Sequence, residues 1–132
     1  MVDFDSFKSI NDTYGHLCGD KALRALGILL NKIDNKNVQS FRYGGDEFAL
    51  VFLNKTDEEI IEILKNIQAE LGLISLAGED GRSPVLTISA GIYNEKAPKG
   101  IITEYISKAD KALYIAKKSG KNFIQFYVEP KK

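Results

Sequence analysis

Apolar positions recur along this chain with two periods, and the switches between them mark the elements. Leu23, Leu26, Leu30 and Ile33 fall three and four apart and predict a helix from about Gly19 or Asp20 to Ile33, ended by the polar run Asp34-Asn35-Lys36-Asn37. Ile60, Ile63, Leu64, Ile67 and Leu71 predict a second helix. Thr56-Asp57-Glu58-Glu59 opens it in the form of a capping box, and Gly72 stops it. A third opens at Thr103 and Glu104, turns Ile106, Ala109, Leu113 and Ala116 inward, and takes Gly120 as its C-terminal cap. Phe7, Ile10 and Tyr14 give a helical turn or two across Ser6 to Thr13, ended by Gly15.

Period two marks the strands. Phe41 and Tyr43 precede the pair Gly44-Gly45 and Phe48, Leu50 and Phe52 follow it, which predicts two antiparallel strands joined by a tight turn. Leu86, Ile88, Ala90 and Ile92 share one face of a further strand, with Thr87, Ser89 and Gly91 on the other, and Asn122 to Val128 form the last. Met1 to Asp5 is a short extended start with Asp3 and Asp5 on one face and Phe4 on the other. Loops are expected from Gly78 to Pro84 and around Pro98 to Gly100.

The order strand, helix, paired strands, helix, strand, helix, strand points to an α+β fold: a ferredoxin-like, palm-type sheet, mostly antiparallel and flanked by helices. In that topology the first strand can lie beside the hairpin, bringing Asp3 to Asp46, 43 positions away. The 132 residues are read as a single domain, 1–132. Eighteen basic and eighteen acidic residues cancel, which leaves no global field to attract DNA, RNA or an anionic membrane; any attraction for phosphates must be local. No apolar run is long enough to cross a bilayer and the start has no secretory pattern, so a cytoplasmic setting is expected. Cys18 is the only cysteine, which excludes an internal disulfide.

A bare hairpin does not require the acids Asp46 and Glu47 directly after its glycines. Two like charges about 5 Å apart repel by roughly 3 kcal/mol at an effective dielectric near 20, so convergence of Asp3, Asp5, Asp46 and Glu47 calls for a cation. Carboxylate oxygens select Mg²⁺ or Mn²⁺, and the chemistry implied is phosphoryl or nucleotidyl transfer. The other reading of these residues is that the acids end strands at the surface, that Asp20 is a helix N-cap, that Asn11 caps a turn, and that Lys117 and Lys121 are solvated charges at a helix C-terminus. His16 is read as structural.

The run Gly44-Gly45-Asp46-Glu47-Phe48 resembles the signature of the GGDEF domain, the catalytic module of diguanylate cyclases. The segment Asp3-Phe4-Asp5-Ser6-Phe7-Lys8-Ser9-Ile10-Asn11-Asp12, the later Gly15-His16 and Gly19-Asp20, Ser89-Ala90-Gly91, and Ala109-Asp110-Lys111-Ala112-Leu113-Tyr114 through Gly120-Lys121-Asn122 are similar to that family's other motifs, in the same order. The resemblance implies a cyclase joining two GTP molecules into cyclic di-GMP with release of pyrophosphate, acting across a homodimer. By position, Gly44, Gly45, Asp46 and Glu47 would form the catalytic turn. Asp3, the Phe4 carbonyl, Asp46 and Glu47 would hold Mg²⁺ or Mn²⁺, and Glu47 would help activate the attacking 3′-hydroxyl. Asn11 and Asp20 would bond guanine, while amides near Ser6 and Phe7 with Lys8, Lys117 and Lys121 would hold phosphates.

Three features depart from the family pattern. The helix and most of the first strand that precede Asp3 in the family are absent from the start of this chain, so the expectation is either an upstream portion, with a sensory or dimerisation segment in a larger protein that could be membrane-anchored, or a short form whose first strand is stabilised some other way. The inhibitory product site, Arg-x-x-Asp, falls on Asn35 and Val38, which carry neither charge, so none is expected. Lys121 stands where arginine is common and keeps the charge without the bidentate fork. The alternatives are a catalytically silent module that binds GTP or another nucleotide, and a related cyclase making a different cyclic dinucleotide.

Overall fold

The computed structural model describes residues 1–77, 81–95 and 100–131; parts of both expected loops, residues 78–80 and 96–99, lie outside them. Nine elements follow in order: β1 (Val2–Phe4), α1 (Phe7–Tyr14), α2 (His16–Ile33), β2 (Val38–Gly44), β3 (Glu47–Phe52), α3 (Asp57–Gly72), β4 (Ile88–Ile92), α4 (Ile102–Lys118) and β5 (Ile124–Phe126). The strands form one sheet in the order β2-β3-β1-β4-β5, antiparallel except where β4 and β5 run parallel. The α+β expectation holds, and the first strand does lie beside the hairpin.

The sheet separates a hydrophobic face from a chemical one at β1. Val2 and Phe4 join the main core with Leu26 and Leu30 of α2, Leu64 and Leu71 of α3, and Ile88, Ala90 and Ile92 of β4. Asp3, one residue out of phase, takes the other face with α4. There α4 packs so closely on β4 that a β-carbon at Gly91 would collide with the Ala109 carbonyl and the Leu113 backbone. Half of the predicted capping box forms at α3: the Glu59 N–H donates to Thr56 Oγ1 at 3.2 Å, while the Glu59 carboxylate accepts from the Thr56 hydroxyl at 3.3 Å rather than from the Thr56 backbone N–H.

Two boundaries and one burial pattern differ from expectation. Gly15, at φ 95°, both caps α1 and precedes α2, so α2 begins at His16. The final strand is Ile124–Phe126; left-handed Asn122, at φ 52° after Lys121 at 65°, stands outside it, and so do Tyr127 and Val128. On the edge strand β2, the alternation does not mean burial: Phe41 and Tyr43 are 52% and 56% exposed, whereas Phe48 on β3 is 6% exposed.

Candidate active site

The pairing of β1 with β3 sets Asp3 opposite Glu47. Gly44 pairs with Glu47 across the hairpin, so the turn residues are Gly45 and Asp46. Gly45 adopts φ 47°, a conformation that disfavours any residue with a β-carbon. The guanidinium of Arg42 braces the turn by donating to the Gly45 carbonyl from Nε at 3.0 Å and Nη2 at 2.7 Å. That brace was not anticipated; its only trace in the sequence is an arginine three positions before the turn glycine.

The turn brings the carboxyls of Asp46 and Asp3 into hydrogen-bonding range, as the topology predicted. Burial, then the contact with Asp46, pushes Asp3 up from 3.8 to about 7, against the opposing pull of Lys117. Asp3 Oδ1 is sealed from solvent with no donor. Glu47 is also raised, first by burial and then by the charges of Asp110 and Asp46. Lys117 of α4 answers part of this charge: its Nζ lies 3.1 Å from Asp3 Oδ2, 3.7 Å from Asp5 Oδ1, and donates to the Phe4 carbonyl at 2.7 Å.

Two carboxylates meeting at a sealed, donorless oxygen, beside a main-chain carbonyl, form a hard-oxygen set suited to a divalent cation. Among the described residues no three His, Cys, Asp or Glu side chains converge into a self-sufficient cage. This fits a Mg²⁺-type site, which takes one or two carboxylates and keeps water and substrate oxygens as its remaining ligands. Asp5 does not join the cluster. Its carboxylate is buried and turned to neutral donors: Ser89 Oγ on Oδ1, and Thr87 Oγ1 and the Asn122 N–H on Oδ2, each at 2.8 Å.

Along the same edge, Ser6 is left-handed at φ 55° and its side chain caps no amide of α1. The first-turn N–H groups of α1 therefore lack a side-chain acceptor. Lys121 Nζ donates to Ser6 Oγ at 2.6 Å, whereas Lys8 and Phe7, in the first turn of α1, are exposed and half-buried. Asn11 packs against α2 so tightly that a β-carbon at Gly19, the residue before Asp20, would strike its Oδ1. Asp20 lies inside α2 and is exposed, so it is not an N-cap. The Asn35 side chain accepts the N–H groups of Asn37 and Val38 at 2.7 and 3.0 Å, and Val38 is buried in the sheet.

Known proteins are similar to this chain in sequence and in fold. Residues 1–123 match the family described as "Diguanylate cyclase, GGDEF domain". The diguanylate cyclase DosC of Escherichia coli (strain K12) is 33% identical over 129 residues, 96% of this chain and 27% of that protein. VdcA, a diguanylate cyclase of Vibrio cholerae, is 33% identical over 124 residues, 92% of this chain and 36% of that protein, so the chain spans about a third or less of these relatives. Among solved structures, the active GGEEF domain of a diguanylate cyclase from Vibrio cholerae superposes with a TM-score of 0.83 at 28% identity, covering 98% of this chain and 81% of that one. The GGDEF domain of DgcB from Caulobacter crescentus, in complex with c-di-GMP, gives 0.87 at 29% identity over 96% and 74% of the two chains. With its acidic turn, its sheet order and these likenesses agreeing along nearly its whole length, the chain belongs to the GGDEF domain family.

Proposed function

We propose that this chain is the catalytic domain of a diguanylate cyclase, condensing two GTP molecules into cyclic di-GMP across a pair of facing copies, with Mg²⁺ or Mn²⁺ held by Asp3, Asp46 and the Phe4 carbonyl and with Glu47 assisting beside them. The observation that carries the reading is the meeting of Asp3 and Asp46 around an oxygen with neither solvent nor donor. The cation, when bound, supplies charge neutralisation at the triphosphate and at the departing pyrophosphate. Exposed Asp20 accepts from guanine N1 and N2, donors that adenine lacks, and Asn11, packed against the preceding Gly19, adds a second polar group.

Lys117 and Lys121 project to the same edge as the open amides of α1, so phosphates set there meet two ammonium groups and backbone N–H donors. Glu47, raised by its surroundings, is positioned to take the proton of the 3′-hydroxyl as that oxygen bonds to the α-phosphorus of the facing nucleotide and the bond to pyrophosphate breaks. One site holds one nucleotide, so the product requires two copies. The test is incubation with GTP and Mg²⁺ and chromatography of the nucleotides, beside Asp46→Ala and a parallel run with ATP. Cyclic di-GMP formed by the unaltered chain and not by Asp46→Ala supports the reading; a dinucleotide made equally by both overturns the site.

A nucleotide-binding module without turnover is the second reading. It draws on Lys117, whose ammonium already bridges the Phe4 carbonyl and Asp3. Binding of GTP with no product at high protein concentration would establish it. A dinucleotide formed as readily from ATP would point instead to a cyclase of different specificity.

A further inference from the structure

We propose that Asp5 is a positioning residue that holds Lys121 and Ser6 in place as a phosphate grip, an inference that rests on the GTP reading above. The chain leaving α4 passes through three successive positive-φ residues, Gly120 at 120°, Lys121 at 65° and Asn122 at 52°. Two of the three carry side chains, so this path is disfavoured unless something fixes it. The fixing group is Asp5, whose Oδ2 accepts the Asn122 N–H at 2.8 Å.

The same carboxylate is itself immobilised. Ser89 Oγ and Thr87 Oγ1 donate to it from the β4 segment, and its own N–H donates to the Thr87 carbonyl at 2.9 Å. Asp5 thus joins three stretches distant in sequence: the end of β1, the β4 segment and the turn after α4. Directly after it comes Ser6, also left-handed at φ 55°, and the two unusual turns meet where Lys121 Nζ donates to Ser6 Oγ at 2.6 Å. Left to itself, the Lys121–Asn122 turn would relax toward ordinary backbone angles and swing the ammonium away from Ser6 and the open amides of α1. Asp5 touches no substrate in this arrangement; it acts through Asn122.

The experiment compares two ligands of the full chain in Mg²⁺: α,β-methylene-GTP, which cannot release pyrophosphate, and guanosine, which has no phosphates. Asp5→Ala is expected to weaken the analogue about tenfold or more while guanosine affinity stays within about twofold. Asp5→Asn, whose carboxamide oxygen still accepts from Asn122 and Thr87 while its amide donates to Ser89 Oγ, is expected to stay within about threefold of the unaltered chain. Asn122→Gly added to Asp5→Ala should recover much of the loss, because glycine takes the left-handed angles unaided. An Asp5→Ala protein that keeps analogue affinity within about threefold, or loses guanosine binding equally, overturns the proposal. Should Asp5→Ala not fold, Thr87→Val removes one donor to Asp5; an analogue affinity lowered about threefold supports the clamp, and an unchanged one overturns it. If the unaltered chain already binds analogue no better than guanosine, the GTP reading fails first and the inference with it.

Discussion

Asp3 on β1 and Asp5, the residue that follows the strand, stand two positions apart and meet opposite fates. Asp5 is buried with both oxygens satisfied by hydroxyl and amide donors. Asp3 is half-buried, with one sealed oxygen lacking any donor, a second carboxyl in contact, and a pKa pushed to about 7. A satisfied buried carboxylate holds parts of a molecule together. An unsatisfied one beside another acid destabilises the fold in isolation, and such local conflict is tolerated where chemistry requires it. Both acids also touch Lys117, so its ammonium lies at the boundary between framework and site.

The contrast breaks most sharply at Asp46. Asp46→Ala removes half of the acidic pair, and dinucleotide formation should fall by about a hundredfold or more, measured as product per unit time at saturating GTP. Activity within a few-fold of the unaltered chain would place the metal elsewhere. Next comes stability of the cation-free protein at pH 8. Asp5→Ala leaves two hydroxyls and one N–H without their acceptor and should lose about 2–4 kcal/mol by urea melts. Asp3→Asn replaces a repelled charge with a neutral group that can donate to Asp46, and should gain on the order of 1 kcal/mol. Equal losses in both would erase the distinction between them.

The sequence carries more of the site than of its supports. Helix faces follow from apolar spacing, and Asp3 reaches Asp46 because strand order alone suffices to bring them together. The supports are less legible because their partners are remote: Asp5 binds groups 82, 84 and 117 positions away, and no local pattern encodes such a network. Nor does a residue alphabet reveal left-handed Ser6, Lys121 and Asn122, the last of which stands outside β5. Period two predicts strands but not depth in the sheet, which is why Phe41 and Tyr43 read like Phe48 and yet lie exposed on an edge. Gly15 is a different case. Its helix-ending role was legible, but its second role, leading straight into α2 at His16, was not.

Proton linkage gives Asp3 a test of its own. Asp3 has its folded pKa raised to about 7 from 3.8, so its contribution to stability is fully present below the unfolded value. That contribution is lost as pH climbs from about 4, with the loss complete above about 7. Cation-free melts should show this decline, and Asp3→Asn should flatten it. Because the proton and the cation compete for the same oxygens, Mn²⁺ affinity should drop by up to about tenfold per pH unit below 7. A Mn²⁺ affinity indifferent to pH between 5 and 7 would detach the titration of Asp3 from metal binding.

A further, modest effect lies in the turn that delivers Asp46 to its partner. Gly45 has φ 47°, and a β-carbon added there would meet no atom within 4 Å, so substitution there tests backbone conformation alone. Gly45→Ala should lose about 1–2 kcal/mol, the ordinary penalty of a left-handed residue with a side chain. Gly45→Asn should lose less, because asparagine tolerates that region. Arg42 holds the Gly45 carbonyl from two nitrogens, which resists relaxation of the turn and keeps the strain local. The series glycine, asparagine, alanine should therefore rank both melting temperature and Mn²⁺ affinity in that order. If melting temperature followed the series while Mn²⁺ affinity did not, the turn would be stabilising the hairpin without placing Asp46, and the acidic pair would owe its geometry to the β1–β3 register alone.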